Sequence, residues 1–469
     1  MLFSSISFLY FFIPAIIALY FAVPFKLKNT VLLIFSLFFY AWGGVKYALL
    51  MVLAIALGYV FGLLIEKFRE KKIAKLFVGI AVACIISFML YFKYMDFFID
   101  NFNAVTGLNI PLLKIVLPIG ISFYTFQIIS YVVDVYRGEK AQKNPINLAA
   151  YVAMFPQLIA GPIVRYADVA RELETRTHSF TMAGEGIRRF IMGLAKKVLI
   201  ANSMYDLSEL IFATEEKTVL LYWTYGISIA LYIYFDFSGY SDMAIGLGKV
   251  FGFHFLENFN YPFISRSATE FWRRWHMSLG SWFRDYLYIP LGGNRVPKWR
   301  FLLNIFAVWM FTGFWHGAAW NFIIWGLFFG VLLVIEKFWL LKYLNKSHVL
   351  SRIYILLAVV VSFIVFQTGA GAGGMKTAMT YIGGLFGAGG ISFASAETWY
   401  YLRNYAVLLI AALVGATPLV KTLAIKFSES KKLGKVCNIV EPVVLAGLLV
   451  VITAFLVDSS SNPFLYFRF

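Results

Sequence analysis

The chain has 469 residues, of which 61% are hydrophobic, 19% aromatic and only 14% charged. This composition excludes a soluble globular domain and predicts an all-α polytopic membrane protein. The formal net charge of +17 is spread over separate loops between apolar segments. It therefore indicates cytoplasmic loops that face anionic membrane lipids, and it argues against nucleic-acid binding.

The apolar segments of the first third of the chain are long enough to define a topology. The first, at residues 6–23, is interpreted as an uncleaved helix that spans the bilayer. Others follow at 31–42, 45–65, 76–92 and 113–135. The basic loop at 66–75 is placed in the cytoplasm, which puts the amino terminus outside the cytoplasm.

Two stretches interrupt the apolar pattern with proline, glycine and polar residues, at 117–127 and 154–162. Such stretches predict broken or re-entrant helices, which need protein groups or a water-filled cavity to satisfy their backbone. Simple kinked helices are the alternative. A further span at 218–238 leads into a segment with two acids, Asp236 and Asp242. These acids would orient a histidine or a substrate amine, or, as is more common, pair with arginine or cap a helix.

Residues 270–286 have the periodicity of one amphipathic helix. One face carries Arg273, Arg274 and Arg284, and the other is rich in tryptophan and phenylalanine and includes His276. A basic face opposite an aromatic face is typical of a helix that lies in a membrane interface. We therefore predict an interfacial helix that places His276 on its apolar side, where an ionisable group needs a partner or a function.

His316 stands in the apolar run 311–320, without a charged residue nearby in sequence. An intramembrane histidine of this kind is a candidate functional residue, although a histidine satisfied by a backbone carbonyl is the alternative. Apolar segments follow at 319–341, 352–368, 377–390, 405–420 and 443–457. With the basic loop 421–435 in the cytoplasm, the last span carries the carboxyl terminus outward. The pattern predicts about eleven transmembrane helices.

Four motifs together resemble the membrane-bound O-acyltransferase family, in its bacterial polysaccharide-acetylating branch. The motifs are Leu-Pro-Ile-Gly-Ile-Ser-Phe-Tyr-Thr-Phe-Gln at 117–127, Tyr-Phe-Asp-Phe-Ser-Gly-Tyr-Ser-Asp at 234–242, Phe-Trp-Arg-Arg-Trp-His at 271–276 and Trp-His-Gly at 315–317. The resemblance implies a single integral-membrane domain over residues 1–469. Its fold would be a ring of helices, with re-entrant and interfacial helices, around a central tunnel.

The resemblance also implies an activity and its parts. His316 would be the buried catalytic histidine, and His276 the second catalytic position. The acetyl donor would be cytoplasmic acetyl-CoA, with no tightly bound cofactor and no metal, and the acceptor system a periplasmic partner of the serine-esterase type. Arg273, Arg274 and Arg284 would contact either coenzyme phosphates or lipid headgroups. The protein would lie in the bacterial cytoplasmic membrane and serve peptidoglycan, alginate or a similar polymer.

The tail at 458–469 ends in Phe-Leu-Tyr-Phe-Arg-Phe and is predicted to lie outside the cytoplasm. Tyr466 is the hydroxyl-bearing residue of this motif, and in related acylation systems a tyrosine in such a motif is acylated. We therefore expect Tyr466 to carry the acetyl group, with an interfacial aromatic anchor as the alternative. Two other functions remain open for the whole chain: D-alanyl transfer to teichoic acid, and non-enzymatic transport of a saccharide or acyl compound.

Overall fold

The computed structural model describes residues 1–369, 374–430, 433–458 and 463. The chain is 77% helical, and the described residues contain no β-strand. This confirms the predicted all-α class. Since the chain is built from apolar helices, backbone hydrogen bonds are satisfied within each segment, as a membrane requires.

The described chain divides into two compact units. The first unit comprises residues 1–190 and 240–256. Its helices are α1 (Phe8–Ala22), α2 (Phe25–Ala41), α3 (Val45–Lys67), α4 (Ile73–Thr106), α5 (Ile121–Arg137), α6 (Pro145–Ala153), α7 (Phe155–Leu158) and α8 (Tyr166–Glu174). Within the described residues, the chain passes between the units three times: within α9 (Phe180–Ala195), within α11 (Val219–Val250), and between residues 256 and 257.

The second unit comprises residues 191–239 and 257–465 where they are described. A π-helical segment, Lys196–Ala201, leads into α10 (Asn202–Ala213). The remaining helices are α12 (Ala268–Trp272), α13 (Met277–Phe283), α14 (Lys298–His316), α15 (Trp320–Leu344), α16 (His348–Thr368), α17 (Gly374–Leu385), α18 (Ala396–Gly415), α19 (Leu419–Ser428) and α20 (Leu433–Asp458).

Six of the described helices are long and apolar enough to cross a membrane. They are α3, α4, α11, α15, α16 and α20. A seventh span results if α18 and α19, which meet at an angle of 68°, are counted as one broken helix. The chain is thus a multi-pass membrane protein. The expected number of about eleven spans is not confirmed, because several predicted segments form helices that are short or insufficiently apolar.

Both interrupted stretches are broken, not merely kinked. The predicted span at 113–135 begins as a helix only at Ile121, after Gly120 in a left-handed conformation (φ 76°). A Cβ at position 120 would lie 2.7 Å from the carbonyl oxygen of Leu158, so only glycine fits there. The second stretch is buried from Met154 to Val164. Its backbone is supported by side chains, as when the Phe155 N–H donates to Ser36 Oγ at 3.1 Å.

A helix end was expected at residues 234–242, and this is wrong. Helix α11 runs through the whole motif and ends only at Val250, so Asp236 and Asp242 lie inside a helix. The longer helix is possible because each acid has a basic partner. Asp242 pairs with Arg189 at 2.9 Å, and Asp236 pairs with Lys197 at 2.7 Å. The predicted pairing with arginine is therefore correct for Asp242, whereas Asp236 pairs with a lysine, and the predicted capping role is wrong.

A histidine cluster as the candidate active site

His316 is positioned by two closely packed helices. It is the last residue of α14, and the chain turns at Gly317 into α15. A Cβ on Gly313 would lie 2.1 Å from the carbonyl oxygen of Phe322, and one on Gly326 would lie 2.2 Å from that of Trp309. These glycines let the two backbones approach more closely than other residues would allow. The position of His316 therefore follows from backbone packing.

The imidazole of His316 lies among aromatic rings and is only 9% exposed. Its ring centre is 4.9 Å from that of Trp315, 5.1 Å from Trp325 and 5.3 Å from Phe366, all with steeply inclined planes. In such apolar surroundings, a hydrogen bond from the histidine to a bound group is stronger than in water.

His276 was predicted to lie on one continuous helix at 270–286, and this is wrong. Helix α12 ends at Trp272, and His276 adopts a left-handed backbone conformation (φ 44°, ψ 52°) before α13 begins. The backbone bonds instead to a neighbouring segment: the Met277 N–H donates to the carbonyl of Asn258 at 3.0 Å. The aromatic side chains have helical spacing, but these bonds to a distant segment outweigh the local periodicity.

Asn258 fixes the turn that carries His276. Its buried side-chain carbonyl accepts from Ser278 Oγ at 2.9 Å and from the Ser278 N–H at 3.3 Å. His276 is the N-cap of α13, where its Nδ1 accepts from the Leu279 N–H at 3.4 Å. A backbone conformation that is rare for non-glycine residues is thus held by bonds on both sides, and strain of this kind is common at functional sites.

The hydrogen bonds define the protonation state of His276. Since Nδ1 accepts, the neutral ring carries its hydrogen on Nε2. That nitrogen is buried and has no hydrogen-bond partner among the residues that the structure describes. His276 lies outside the six apolar spans, and burial lowers its pKa to about 3. The ring is therefore neutral at physiological pH and presents an unused N–H donor.

Trp315 brings the two histidines into one cluster. Its ring centre is 6.1 Å from that of His276 and 4.9 Å from that of His316. On the other side of His276, the ring of Phe237 approaches to 4.6 Å. The two histidines, forty residues apart in sequence, therefore line the same buried aromatic cluster. We call these four residues, His276, His316, Trp315 and Phe237, the histidine cluster.

Lys197 was not among the site residues predicted from the sequence. Lys197 forms the ion pair with Asp236, and the two side chains are 2% and 0% exposed. Asp236 directly precedes Phe237 of the histidine cluster. The signal was present in the sequence, because Lys196 and Lys197 interrupt an otherwise apolar run at 191–201. A lysine in such a run is a candidate for a buried partner.

The three arginines predicted to bind coenzyme phosphates do not share one environment. Arg273 is exposed. Arg274 donates to Glu270 at 2.9 Å and Arg284 to Asp285 at 2.7 Å. Local pairing of two of them leaves less free charge for an anionic ligand than the sequence suggested, so Arg273 is the best placed of the three. Tyr466 lies outside the residues that the structure describes.

Comparisons with known proteins identify the family of this chain. The model of the MBOAT, membrane-bound O-acyltransferase family, matches residues 132–372, which include both histidines. The probable alginate O-acetylase of Azotobacter vinelandii is 42% identical over 78% of this chain and 75% of its own. That of Pseudomonas putida is 37% identical over the full length of both chains. The peptidoglycan O-acetyltransferase of Helicobacter pylori is 35% identical over 72% of this chain and 70% of its own. This chain belongs to the membrane-bound O-acyltransferase family and is an O-acyltransferase.

Proposed function

We propose that this chain takes acetyl groups from cytoplasmic acetyl-CoA and passes them across the membrane, through His316 and Tyr466, to a periplasmic partner. The partner would complete the O-acetylation of a polysaccharide outside the cytoplasm. The printed names of the relatives, an alginate O-acetylase and a peptidoglycan O-acetyltransferase, support this class of polymer. The membrane would be the bacterial cytoplasmic membrane, with both termini facing outward.

One observation carries the proposal: the buried Nε2–H of His276 has no acceptor among the described residues. An unused buried donor typically costs about 1–3 kcal/mol, so its presence at a site favours a ligand that accepts. A thioester carbonyl oxygen is such an acceptor. As the acceptor hydroxyl attacks, negative charge develops on that oxygen, and a fixed donor in a water-free site stabilises it.

His316 then serves as the general base. The hydroxyl oxygen of Tyr466 attacks the carbonyl carbon of acetyl-CoA while His316 removes the hydroxyl proton. The C–S bond breaks, and His316 returns the proton to the coenzyme A thiolate. The products are an acetyl ester on Tyr466 and free coenzyme A. Because tyrosine has an ordinary pKa near 10, it is a weak nucleophile at neutral pH and needs this base.

The tyrosine ester suits onward transfer. A phenolate leaves more readily than an alkoxide, so a serine of a periplasmic esterase-type partner would accept the acetyl group from Tyr466. In this way coenzyme A, which is large and charged, stays in the cytoplasm. Arg273 is the residue that we propose to contact its phosphates, since arginine binds phosphate through paired hydrogen bonds.

The proposal is tested by replacing His316, the proposed base, and Tyr466, the proposed acetyl carrier. His316→Ala is expected to reduce polymer acetylation about 10²–10⁴-fold, and Tyr466→Phe to abolish it while keeping an aromatic anchor. His254→Ala, at an exposed histidine that pairs with Glu172, is the matched control and should acetylate normally. Acetyl content of the isolated polymer is measured beside the amount of protein in the membrane.

Mass spectrometry completes this test. In cells that lack the periplasmic partner, the peptide that contains Tyr466 should carry one acetyl group in the wild type and none in His316→Ala. Normal polymer acetylation by Tyr466→Phe, with an unmodified peptide in the wild type, would refute the carrier role. Normal acetylation by His316→Ala at normal abundance would refute the base.

A further inference from the structure

A buried ammonium group joins three separate segments of the second unit. Lys197 Nζ lies 2.7 Å from the carboxylate of Asp236 in α11 and donates to Asn202 Oδ1 at 2.9 Å. It also donates to the backbone carbonyl of Pro463, which follows the last helix. An ammonium group has three hydrogens. Two of the hydrogens therefore have acceptors, in Asn202 and Pro463, and the charge is balanced by the carboxylate of Asp236.

Close packing brings these groups together. Gly239 lies one turn after Asp236, and a Cβ at that position would lie 2.7 Å from the carbonyl oxygen of Gly193 and 3.2 Å from the amide nitrogen of Lys197. The glycine thus allows α11 to lie directly against the π-helical segment Lys196–Ala201, and Asp236 reaches the ammonium group. The same π-helical segment packs against the last helix, α20.

Stability alone does not explain this pair. Both charges are removed from water, and the desolvation penalty of a buried ion pair often equals or exceeds the attraction that it gains. Well-packed apolar residues would stabilise the helices at least as well. What apolar residues would lack is the donor that binds the Pro463 carbonyl. The contact that distinguishes this pair is therefore the one to the chain beyond α20.

We propose that Lys197, Asp236 and Asn202 form a latch that positions the carboxyl-terminal tail for acetyl transfer. We call these three residues the tail latch. The inference rests on the proposed carrier role of Tyr466. That residue is three positions beyond Pro463 in the sequence, and three residues of any chain span at most about 11 Å. On the other side, Asp236 adjoins Phe237, which contacts His276.

The tail latch positions the tail and takes no part in the making or breaking of bonds. It fixes the start of the tail beside the element that carries Phe237 of the histidine cluster, which raises the effective concentration of the tyrosine at the base. Loss of the latch should leave the helices folded and release the tail. A purely structural ion pair would behave differently, since its loss would lower the stability of the protein without a specific effect on residue 463.

The experiment measures how accessible position 463, at the start of the tail, is to a reagent in solution. In a Cys84→Ser/Cys437→Ser background, Pro463→Cys keeps the backbone carbonyl and introduces a single thiol. A charged maleimide is added to the full chain in nanodiscs, and the labelling rate of Cys at position 463 is recorded. Lys197→Met/Asp236→Leu removes both charges together, because removing one would leave the other buried and unpaired. Lys196→Met, which removes the neighbouring lysine and leaves the Lys197–Asp236 pair in place, is the control.

We expect the double variant to label about tenfold faster than the wild-type pair, which corresponds to about 1.4 kcal/mol of latch free energy. Its melting temperature and membrane abundance should match those of Lys196→Met, and its polymer acetylation should fall. An unchanged labelling rate in a folded double variant would overturn the latch. The latch would also be overturned if Lys196→Met increased the labelling rate as much as the double variant does.

The two proposals fail in different ways. Faster labelling in the double variant, together with normal polymer acetylation by Tyr466→Phe, would support the latch and refute the carrier. Unchanged labelling together with an acetylated Tyr466 would refute the latch and leave the carrier role intact.

Discussion

His276 shows how one backbone angle changes the chemistry of a side chain. On the predicted interfacial helix, His276 would have stood on the apolar side. In the left-handed turn, its Nδ1 instead accepts from the Leu279 N–H and caps α13, while its ring contacts that of Phe237. In the mechanism that we propose, His276 would donate a hydrogen bond and His316 would act as the base, so that two identical side chains would have two roles set by their environments.

The pKa of His276 predicts an acid-sensitive fold. Its pKa is about 3 in the folded protein, whereas an unfolded histidine titrates near 6.5. Below pH 6.5 the unfolded chain binds a proton that the folded chain does not, so stability is greatest above pH 6.5 and falls as the pH drops toward 3. At pH 5 the loss is about 2 kcal/mol.

Melting temperatures of the purified protein at pH 7.5, 6 and 5 measure this effect. His276→Asn tolerates the left-handed conformation and does not titrate, so its melting temperature should fall less between pH 7.5 and pH 5. If the two proteins lose stability in parallel, His276 is not the residue responsible.

At the scale of elements, the pair α14 and α15 depends on glycine. A Cβ on Gly313 would lie 2.1 Å from the carbonyl oxygen of Phe322, and a backbone atom cannot move aside as a flexible side chain can. Gly313→Ala should therefore separate the helices, displace His316, and destabilise the protein by about 1–3 kcal/mol. A lower melting temperature and reduced polymer acetylation are the expected results.

The matched control is Gly79→Ala, in the apolar helix α4. A Cβ there meets no atom within 4 Å, and alanine favours a helix over glycine. Gly79→Ala should melt at the wild-type temperature or slightly above it. Equal melting temperatures for the two variants would show that the contact between α14 and α15 is less tight than described.

Sequence periodicity predicted the elements unevenly. Long apolar runs identified the spans α3 and α16 with nearly correct bounds, because a membrane span needs about 20 apolar residues. The span predicted at 443–457 was also found, as α20, but this helix begins ten residues earlier, at Leu433. The break at His276 was not predictable, since the aromatic residues around it have helical spacing and the bonds that stop the helix come from Asn258. A local sequence pattern contains no information about a hydrogen-bond partner that is distant in the chain.

The two histidines of the candidate site were predictable from the sequence, but the contacts that they make were not. His276 and His316 stood out as ionisable residues in apolar surroundings, but their meeting at Trp315 required the fold. The partner of Asp236 was also hidden, because Lys197 lies 39 positions earlier. Single unusual residues can be read from a sequence, whereas the pairs that they form depend on how helices pack.

At the scale of the whole molecule, acetyl transfer is predicted to proceed in two separable stages. Protein in nanodiscs is supplied with acetyl-CoA that carries a labelled acetyl group. The label should appear on the tail peptide but not on added polymer, because we propose that the second stage belongs to a periplasmic partner. Addition of that partner should move the label to the polymer.

Two results would contradict the prediction that acetyl transfer has two stages. Labelling of the polymer by this chain alone would show that no partner is needed. Labelling of the tail only when the acyl group is supplied on a carrier protein would exclude acetyl-CoA as the donor and favour a D-alanyl-type mechanism. Tyr466→Phe, which should remain unlabelled in every case, controls for modification at other residues.

The buried ion pair also has a consequence for the biogenesis of this protein. Helix α11 carries Asp236 near its centre, and an acid in the middle of a span opposes insertion by about 2.5–3.5 kcal/mol. Lys197 is synthesised before α11. Its ammonium group would therefore already be at the membrane when α11 leaves the ribosome. The two segments would then enter the lipid as a neutral pair, and the order of synthesis itself would guide the insertion of α11.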